Sequence, residues 1–313
     1  MVSTTPPTGR QVTLRAGPVS AVVTEVGGGL RRLRTGDRDL VADFGADVAR
    51  PVFRGSVLVP WPNRVGDGRY RWAGRDEQLP LTEPDRRTAL HGLLCWTRWD
   101  VRDASPDAVA LGARVVPQPG YPHQLDVVVT YRVHEDGLSW AVEAENTGTT
   151  AAPYGCSVHP YLVAGPGRVD DWTLHLRAAE YLEVDAERLL PTGRRPVDGT
   201  PLDFRAGRTP LAGVAVDHAV TAVAPDDDGT ARAEVRTADG SGVALEWDPR
   251  ALPWVQLHTA DRPEPGLHRA GLAVEPMTCP PDAFRSGEGV VRLEPGARHV
   301  ARWRIRALAA DGG

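Results

Sequence analysis

One carboxylic acid and one histidine lie at the ends of apolar strands, where burial would adjust them for proton transfer. Glu275 follows the apolar run 271–274, which should be buried, and precedes Pro276, where regular strand pairing should end. Burial would raise the pKa of this carboxyl towards neutrality, which suits a general base. His159 lies at another strand end, and histidine exchanges protons most readily near neutral pH. Glu275 and His159 are therefore candidate base and acid. A turn-capping glutamate and a core histidine bonded to the backbone remain the alternatives.

Other polar residues beside turns could hold the oxygens of a ligand. Arg64 ends the stretch Pro60-Trp-Pro-Asn-Arg64 and offers a fork of donors, although most arginines are solvated or ion-paired. His91 precedes Gly92, which allows a ligand to approach the backbone closely. Flat aromatic faces make useful walls for a sugar ring, although we expect core packing for most of them. Four tryptophans crowd these stretches: Trp61, Trp72, Trp96 and Trp99.

The composition excludes several mechanisms. All 36 basic residues are arginines, so a Schiff-base lysine, a pyridoxal phosphate attachment and a P-loop lysine are impossible. A formal net charge of -5 is untypical of a nucleic-acid-binding surface. The nine histidines include no His-x-His or H-E-x-x-H spacing, and His258 is isolated in the sequence like His175 and His268. The sequence therefore predicts neither a metal nor a nucleic-acid partner.

Cysteine usage and the first residues bear on the compartment. Cys95, Cys156 and Cys279 are odd in number and far apart, which favours packed thiols in a reducing compartment over a disulfide scaffold. Residues 1–10 contain no basic stretch followed by an apolar one, and every apolar run is shorter than the roughly 18 residues that a membrane span needs. We expect a cytoplasmic protein with no membrane partner.

The elements that must position these residues read as strands. Residues 125–133 and 138–144 alternate with period two and predict a β-hairpin around 134–137, and further hairpins are predicted around 238–242 and 294–297. The strict alternation of apolar residues and arginines in 301–307 predicts an outer strand with one wet face. Counts of 33 Gly and 28 Pro suit many turns and few, short helices.

Consecutive antiparallel strands without βαβ alternation predict an all-β protein, a large antiparallel β-sandwich in which two sheets bury each other's apolar faces. The chain is long enough for two domains, but large sandwiches often exceed about 200 residues as one unit. We therefore predict a single domain over 11–308, with an N-terminal tail at 1–10 and a C-terminal tail at 309–313.

The ordered motifs resemble those of the aldose 1-epimerase (galactose mutarotase) family. Six short pieces occur in that family's order and approximate spacing, from about residue 28 to about residue 306. They are Asn63-Arg64, Gly68-Arg-Tyr70 with Gly74 and Leu79, Leu90-His-Gly92, His159-Pro-Tyr161, Val216-Asp-His218, and Glu275-Pro with Pro281-Asp-Ala-Phe284. The resemblance implies a galactose mutarotase-like sandwich, in agreement with the strand pattern.

The resemblance also implies an activity, the interconversion of the α and β anomers of an aldose. By this resemblance Glu275 matches the catalytic base and His159 the catalytic acid. Arg64, His91 and Asp217 match residues that hold the ring oxygen and hydroxyls. We add three further sugar contacts: Asn63, Tyr161 and Trp96. The reaction returns both protons, so it needs no metal or organic cofactor. The implied partner is a small sugar, and the expected assembly is a monomer or homodimer.

Three alternatives remain open at this stage. A sugar-binding protein without turnover would retain the sandwich and its aromatic walls. An epimerase for a phosphorylated or otherwise modified hexose would need a clamp such as Arg31-Arg32 or Arg86-Arg87, although surface solvation is the simpler interpretation of both pairs. A lyase or glycosidase on a related sandwich would need a second carboxylate, for which Asp217 is the candidate.

Overall fold

The computed structural model describes residues 5–311, and almost all regular structure in that range is β-strand. Residues 1–4 and 312–313, which belong to the two predicted tails, lie outside the described range. One short α-helix, α1 (Ala283–Ser286), and two 3-10 turns at Pro84–Arg86 and Val169–Asp171 complete the elements. No helix of the described range is long and apolar enough to cross a membrane.

The strands are short and follow one another closely. In chain order they are β1 (Gln11–Ala16), β2 (Val19–Thr24), β3 (Gly29–Thr35), β4 (Arg38–Asp39), β5 (Val57–Leu58), β6 (Arg64–Gly66), β7 (Arg69–Trp72), β8 (Arg75–Gln78), β9 (Thr88–Leu90), β10 (Asp100–Ala104), β11 (Ala108–Val115), β12 (Leu125–His134), β13 (Gly137–Asn146), β14 (Ala152–Tyr154), β15 (Ser157–Val158), β16 (Tyr161–Leu162), β17 (Thr173–Leu176), β18 (Ala178–Val184), β19 (Pro191–Pro196), β20 (Thr209–Pro210), β21 (Asp217–Val223), β22 (Ala231–Arg236), β23 (Gly242–Trp247), β24 (Trp254–His258), β25 (Leu272–Met277), β26 (Val291–Leu293) and β27 (Arg298–Leu308).

Two large antiparallel sheets form the layers of a sandwich. The nine-stranded sheet has the order β10-β11-β12-β13-β27-β23-β22-β17-β20, and the six-stranded sheet has the order β16-β25-β24-β21-β18-β19. A four-stranded sheet, β1-β2-β3-β4, and several strand pairs complete the fold. Apolar side chains from both large sheets, such as Val142 and Ile305 from one and Val255 and Val274 from the other, belong to one continuous buried core. The predicted all-β antiparallel sandwich is therefore confirmed.

The hairpin predictions have mixed outcomes. The β12–β13 hairpin closes on the pair His134 and Gly137, and the β22–β23 hairpin closes on Arg236 and Gly242, as predicted. The hairpin predicted around 294–297 is wrong, because β26 pairs with β14 and β27 pairs with β13 and β23. A turn signal marks where the chain reverses, but it does not determine which strands pair afterwards.

The segment predicted as an outer strand lies in the middle of the nine-stranded sheet. Its period-two burial is present, since Ala301, Trp303 and Ile305 are buried. The prediction of its place in the sheet is wrong, because β27 is hydrogen-bonded on both sides. An alternation of apolar and polar residues indicates that one face of the sheet is exposed to solvent, and this is true of central strands as well as edge strands.

Trp303 links the two large sheets. Its indole is 2% exposed and lies 6.3 Å from the Trp140 ring, centroid to centroid. The indole Nε1 of Trp303 donates a hydrogen bond of 3.1 Å to the carbonyl of Pro276 on β25. A side chain of the nine-stranded sheet is thus hydrogen-bonded to a strand of the six-stranded sheet, and it joins the two layers.

We predict that Trp303→Ala lowers the free energy of unfolding by about 3–5 kcal/mol, the usual cost of truncating a buried tryptophan. Trp303→Phe should cost less, because the ring volume is partly retained and Ser157 Oγ still donates to the Pro276 carbonyl. Urea unfolding curves measure both changes, with Val116→Ala, at a residue that is 54% exposed, as the control. An alanine variant within about 0.5 kcal/mol of the wild type, the range of ordinary surface substitutions, would contradict the linking role.

Candidate active site

The six-stranded sheet has one face in the core and part of the other on a cavity. Along β24 and β25 the apolar residues Val255, Leu257 and Val274 pack into the core. The residues between them, Gln256, His258 and Glu275, line the cavity. Successive residues of a strand point to opposite faces of the sheet, so the same two strands contribute to the core and to the cavity wall.

The strand register sets these polar residues side by side. Gln256 on β24 is directly opposite Glu275 on β25, and His258 is directly opposite Asp217 on β21. In the row that contains His258, Tyr161 is opposite Ala273 on β25. Side chains directly opposite each other on one face lie within contact range, so antiparallel pairing alone brings residues from four strands to one wall.

Loops with unusual backbone conformations form the opposite wall. Four of their residues lie in the left-handed region, which costs energy for residues other than glycine: Val52 (φ 41°), Phe53 (φ 57°), Asn63 (φ 54°) and His91 (φ 63°). The His91 amide donates to the Asn63 carbonyl at 2.9 Å, which joins two of these loops. The neighbouring Gly92 cannot carry a side chain, since a Cβ there would lie 2.1 Å from the Val59 carbonyl oxygen.

The loop that carries Phe53 is anchored by a buried guanidinium. Arg50 donates to Ser56 Oγ at 2.7 Å, to the Cys95 carbonyl at 3.1 Å and to Thr24 Oγ1 at 2.9 Å. These partners belong to the loop itself, to the segment before Trp96 and to β2. Burial lowers the pKa of Arg50 to about 10, so it stays charged at neutral pH. The anchor holds the Phe53 wall against the rest of the sandwich.

Seven of the eight predicted site residues line this one cavity of about 270 Å³. They are Glu275, His159, Arg64, His91, Asp217, Asn63 and Tyr161. Trp96 lies outside it: its side chain is 55% exposed, and its ring contacts Phe53 at 5.4 Å between centroids. Since Phe53 itself lines the cavity, Trp96 stands one ring further out.

The candidate acid and base are in contact. The Nε2 atom of His159 lies 3.4 Å from the Oε1 atom of Glu275, and the two residues are only 5% and 1% exposed. The His159 ring is nearly parallel to the rings of Tyr161 (14°, 5.1 Å between centroids) and Phe53 (16°, 6.4 Å). It meets the His91 ring edge-on at 5.2 Å. These aromatic contacts fix the direction in which the imidazole nitrogens point.

Burial shifts both groups towards their uncharged forms. It lowers the pKa of His159 to about 3, with the neighbouring His258 adding to the shift. Burial also raises the pKa of Glu275 well above its usual range, and the charge of Asp217 raises it further, while Arg64 opposes the rise. Desolvation penalises whichever form carries charge, so it acts in opposite directions on a carboxylic acid and an imidazole.

Arg64 is held by a two-pronged ion pair. Its Nε and Nη2 atoms donate to Glu83 at 2.8 and 3.0 Å, while Thr88 Oγ1 donates to the same carboxylate at 2.7 Å. Burial opposes the charge of Arg64, but the hydrogen bonds to Glu83 together with the negative charges of Asp217 and the other carboxylates nearby outweigh it and raise its pKa. Within the described residues the Nη1 atom has no hydrogen-bond partner, so one donor is available to a ligand in the cavity.

Several buried polar atoms of the lining residues lack a partner within the described chain. Buried polar groups are normally hydrogen-bonded, so a cluster of such atoms on one cavity indicates a polar ligand. The atoms are His91 Nδ1, His159 Nδ1, Gln256 Oε1, both ring nitrogens of His258, and Glu275 Oε2. Donors and acceptors are mixed, which suits hydroxyl groups better than an apolar molecule or a single ion.

Sequence reasoning missed Gln256, His258, Phe53 and Glu83, all of which line the cavity. His258 is isolated in the sequence because the side chains it faces, Asp217 of β21 and Tyr161 of β16, lie 41 and 97 residues earlier in the chain. One signal was available: in the apolar strand β24 the polar residues Gln256 and His258 alternate with Val255 and Leu257. Within residues 5–311 no group of three His, Cys, Asp or Glu side chains is arranged to hold a metal ion.

A sequence model of the aldose 1-epimerase family matches residues 10–306. The chain belongs to the aldose 1-epimerase family. It is 36% identical to the uncharacterized protein YihR of Escherichia coli over 292 residues, which are 93% of this chain and 91% of YihR. Within the family, the aldose 1-epimerase of E. coli is 27% identical over 164 residues, covering 50% of this chain and 46% of that enzyme.

Solved structures of family members share the sandwich. A GalM/aldose epimerase homologue from C. elegans superimposes with a TM-score of 0.81 at 20% identity, covering 96% of this chain and 100% of the other. The galactose 1-epimerase from Lactobacillus acidophilus superimposes with a TM-score of 0.79 at 19% identity, covering 96% and 95%. At these identities the comparison establishes the fold, which is the mutarotase-like sandwich.

We predict that Glu275→Gln stabilises this aldose 1-epimerase family member against unfolding, and more so at higher pH. The folded state holds the Glu275 proton more tightly than the unfolded chain, so ionisation above the ordinary pKa of 4.5 costs the folded state stability. The glutamine cannot ionise, and its advantage should grow by up to about 1.4 kcal/mol per pH unit until the folded pKa is reached.

Urea unfolding at about pH 5 and about pH 8 measures this difference, because the linkage acts only above the unfolded pKa. Glu135→Gln, at an exposed position in the β12–β13 turn, is the matched control and should show no such trend. If the wild type and Glu275→Gln were equally stable at both pH values, the pKa of Glu275 would not be raised in the folded protein.

Proposed function

We propose that this protein is an aldose 1-epimerase that interconverts the α and β anomers of a free aldose, with Glu275 as general base and His159 as general acid. The observation that supports this most is the 3.4 Å contact between His159 Nε2 and Glu275 Oε1 inside a polar cavity. Anomer exchange requires removal of the proton on O1 and protonation of O5, and both oxygens are bonded to C1. A base and an acid in contact are suited to two such neighbouring oxygens.

The reactive form of the pair is the Glu275 carboxylate with the His159 imidazolium. Burial favours the neutral forms in the free protein. One proton moved across the contact converts the neutral pair into the ion pair without changing the net charge of the site. The rings of Tyr161 and Phe53 beside His159, and the positive charge of Arg64 near Glu275, lower the energy of that ion pair.

Ring opening then follows with balanced protons and electrons. Glu275 accepts the proton from O1, and the electron pair of the broken O1–H bond forms the C1=O1 double bond. The C1–O5 bond breaks, and its electron pair takes the proton from His159. Rotation about C1–C2 presents the other face of the aldehyde, and O5 attacks C1 as both proton transfers reverse. The site returns to its starting state, so the cycle consumes no co-reactant.

The remaining lining residues would hold the sugar in position for these transfers. Arg64 offers Nη1, and His91 offers a buried ring nitrogen. Asp217, Asn63 and Tyr161 contribute further oxygen and nitrogen atoms to the same cavity. Positioning of this kind turns two proton transfers into events within one complex, which is a large part of the acceleration available to an enzyme.

We also infer the setting in which this chemistry takes place. The three cysteines are free and buried, which is in keeping with a reducing, cytoplasmic compartment. We expect residues 11–308 to act as one domain and the protein to work as a monomer or homodimer.

We predict that Glu275→Gln and His159→Gln each lower kcat for anomer exchange by about 10²–10⁴-fold, the usual contribution of one acid or base. Polarimetry on freshly dissolved α-D-glucose and α-D-galactose measures the rate above that of buffer. Glu135→Gln is the control, since this exposed carboxyl is remote from the cavity. Variants as fast as the wild type would remove the two residues from the mechanism. A wild-type protein that binds sugars in a calorimeter without exchanging anomers would instead be a sugar-binding protein.

A second candidate substrate is an aldose with an anionic substituent. A further cavity of about 390 Å³ adjoins the first and shares Arg64, Asp217 and His258 with it. Arg262 also lines both cavities, while Glu83, Asp217 and Asp261 add acidic groups to the second one. Of the two arginine pairs considered from the sequence, Arg86 lines the second cavity. Arg31 and Arg32 instead pair with Asp43.

For this candidate we predict that a hexose 6-phosphate has a higher kcat/KM than the parent hexose. Arg262→Gln should lower the value for the phosphorylated sugar by about tenfold more than the value for the neutral sugar, as expected for one charge-assisted hydrogen bond. Polarimetry with both sugars measures this, with Arg302→Gln, at an exposed arginine of β27, as the control. A preference for the neutral hexose in the wild type would exclude the anionic candidate.

A further inference from the structure

His258 is a third histidine of the cavity that the proton transfers leave unused. It ends β24, and its side chain is 18% exposed. It lines both the cavity of about 270 Å³ that contains Glu275 and the adjoining cavity of about 390 Å³, so it lies where the two cavities meet. Neither of its ring nitrogens has a hydrogen-bond partner within the described residues. A largely buried imidazole with two unused nitrogens indicates that it binds something in the cavity.

Asp217 faces His258 across a gap of defined width. The two residues are directly opposite each other on β21 and β24, and the Nδ1 atom of His258 lies 3.9 Å from the Oδ2 atom of Asp217. This distance is too long for a direct hydrogen bond, yet an oxygen atom can lie within about 2.7–3.0 Å of both. The other carboxylate oxygen, Oδ1, already accepts from Gln256 Nε2 at 2.7 Å. Oδ2 is thus the acceptor that remains for a ligand.

The two groups together match a hydroxyl. A hydroxyl donates through its hydrogen and accepts through its lone pairs, so it can give its proton to Asp217 Oδ2 and accept from the Nδ1–H tautomer of His258. Burial lowers the pKa of His258, which keeps the ring neutral at pH 7. An anion is disfavoured at this point because the Asp217 carboxylate would repel it.

The register also indicates which part of the sugar lies there. Glu275 is in the same row as Gln256, and His258 is two residues further along β24 on the same face. Two residues of a strand span about 7 Å, roughly the width of one pyranose with its substituents. With C1 held beside Glu275, a hydroxyl beside His258 and Asp217 belongs to the far side of the ring, at C3 or C4.

We propose that His258 and Asp217 together hold one secondary hydroxyl of the sugar on the side remote from C1, and that His258 thereby selects among epimeric aldoses. Asp217 is implied as a sugar ligand by the family resemblance. What we add is that His258 contacts the same hydroxyl as Asp217 and that this contact discriminates between epimeric sugars. This inference rests on the proposed function in one respect, namely that an aldose occupies the cavity with C1 beside Glu275.

The experiment compares sugars that have the hydroxyl with sugars that lack it. D-Glucose, D-galactose and D-allose are assayed by polarimetry together with 3-deoxy- and 4-deoxy-D-glucose. His258→Ala should lower kcat/KM about tenfold for the preferred hydroxylated sugar, the loss expected for one hydrogen bond, and leave one of the two deoxy sugars unchanged. Asp217→Asn should weaken the binding of the preferred hydroxylated sugar about tenfold and not that of the same deoxy sugar, as measured by calorimetry because the charge of Asp217 also acts on the pKa of Glu275. The double variant should bind little more weakly than the weaker-binding single variant.

Two further variants separate binding from a structural role. His258→Gln retains a side-chain donor and should recover part of the loss with the hydroxylated sugar only. His175→Ala, at a histidine of β17 that lies outside the cavity, should leave all rates unchanged. An equal loss for His258→Ala with hydroxylated and both deoxy sugars would overturn the proposal, because it would show that the residue only supports the wall.

The design also separates this proposal from the proposed function. If the wild type exchanges no anomers, the same sugars are titrated calorimetrically against the wild type and His258→Ala. A tenfold weaker binding of the hydroxylated sugar alone would then support the role of His258 although the epimerase activity is absent. Equal binding by the wild type and the variant, or no binding of any sugar, would overturn the His258 proposal.

Discussion

A carboxyl group buried in an apolar strand is the constraint on which the rest of the site depends. Glu275 is 1% exposed, and one of its oxygens has no partner among the described residues. A charge in that position is expensive, so its proton is held tightly until a neighbouring group can share the charge. The His159 imidazole lies 3.4 Å from that carboxyl. The rings of Phe53, His91 and Tyr161 contact the imidazole of His159 and restrict its orientation.

The two faces of the six-stranded sheet have different roles: one packs in the core, and the other carries polar side chains of the cavity. Val255, Leu257 and Val274 bury one face in the core, and the alternate residues carry the polar groups of the cavity. Packing in the core holds the strands in place. Hydrogen bonding between the strands then determines the relative positions of the polar side chains. Among the residues that line the cavity, the left-handed backbone conformations lie in loops, as at Phe53 and His91, and neighbouring hydrogen bonds maintain them.

Much of this could be predicted from the sequence, because period two is a local signal. The strands and the β12–β13 hairpin follow from patterns within ten residues. The strand end predicted at Pro276 is wrong, because β25 continues to Met277 and Pro276 is paired with Val255, so Glu275 lies inside the strand. The pairing of β26 with β14, the central position of β27 and the approach of His258 to Asp217 depend on which distant strands become neighbours. No local pattern encodes that choice. Trp96 illustrates the same limit, since residue type alone could not tell the cavity wall from its outer rim.

The central place of β27 also bears on how the chain is made. The strand lies between β13 and β23, yet it follows every other strand in the chain. Its partner β13 emerges from the ribosome about 150 residues earlier, which is roughly 8–30 s at ~5–20 residues per second. The edge of β13 is unpaired during that interval and the edge of β23 for about the last third of it, and unpaired edges can pair with other chains. A central strand that comes last in the order thus leaves both of its neighbours without their partner until β27 itself emerges.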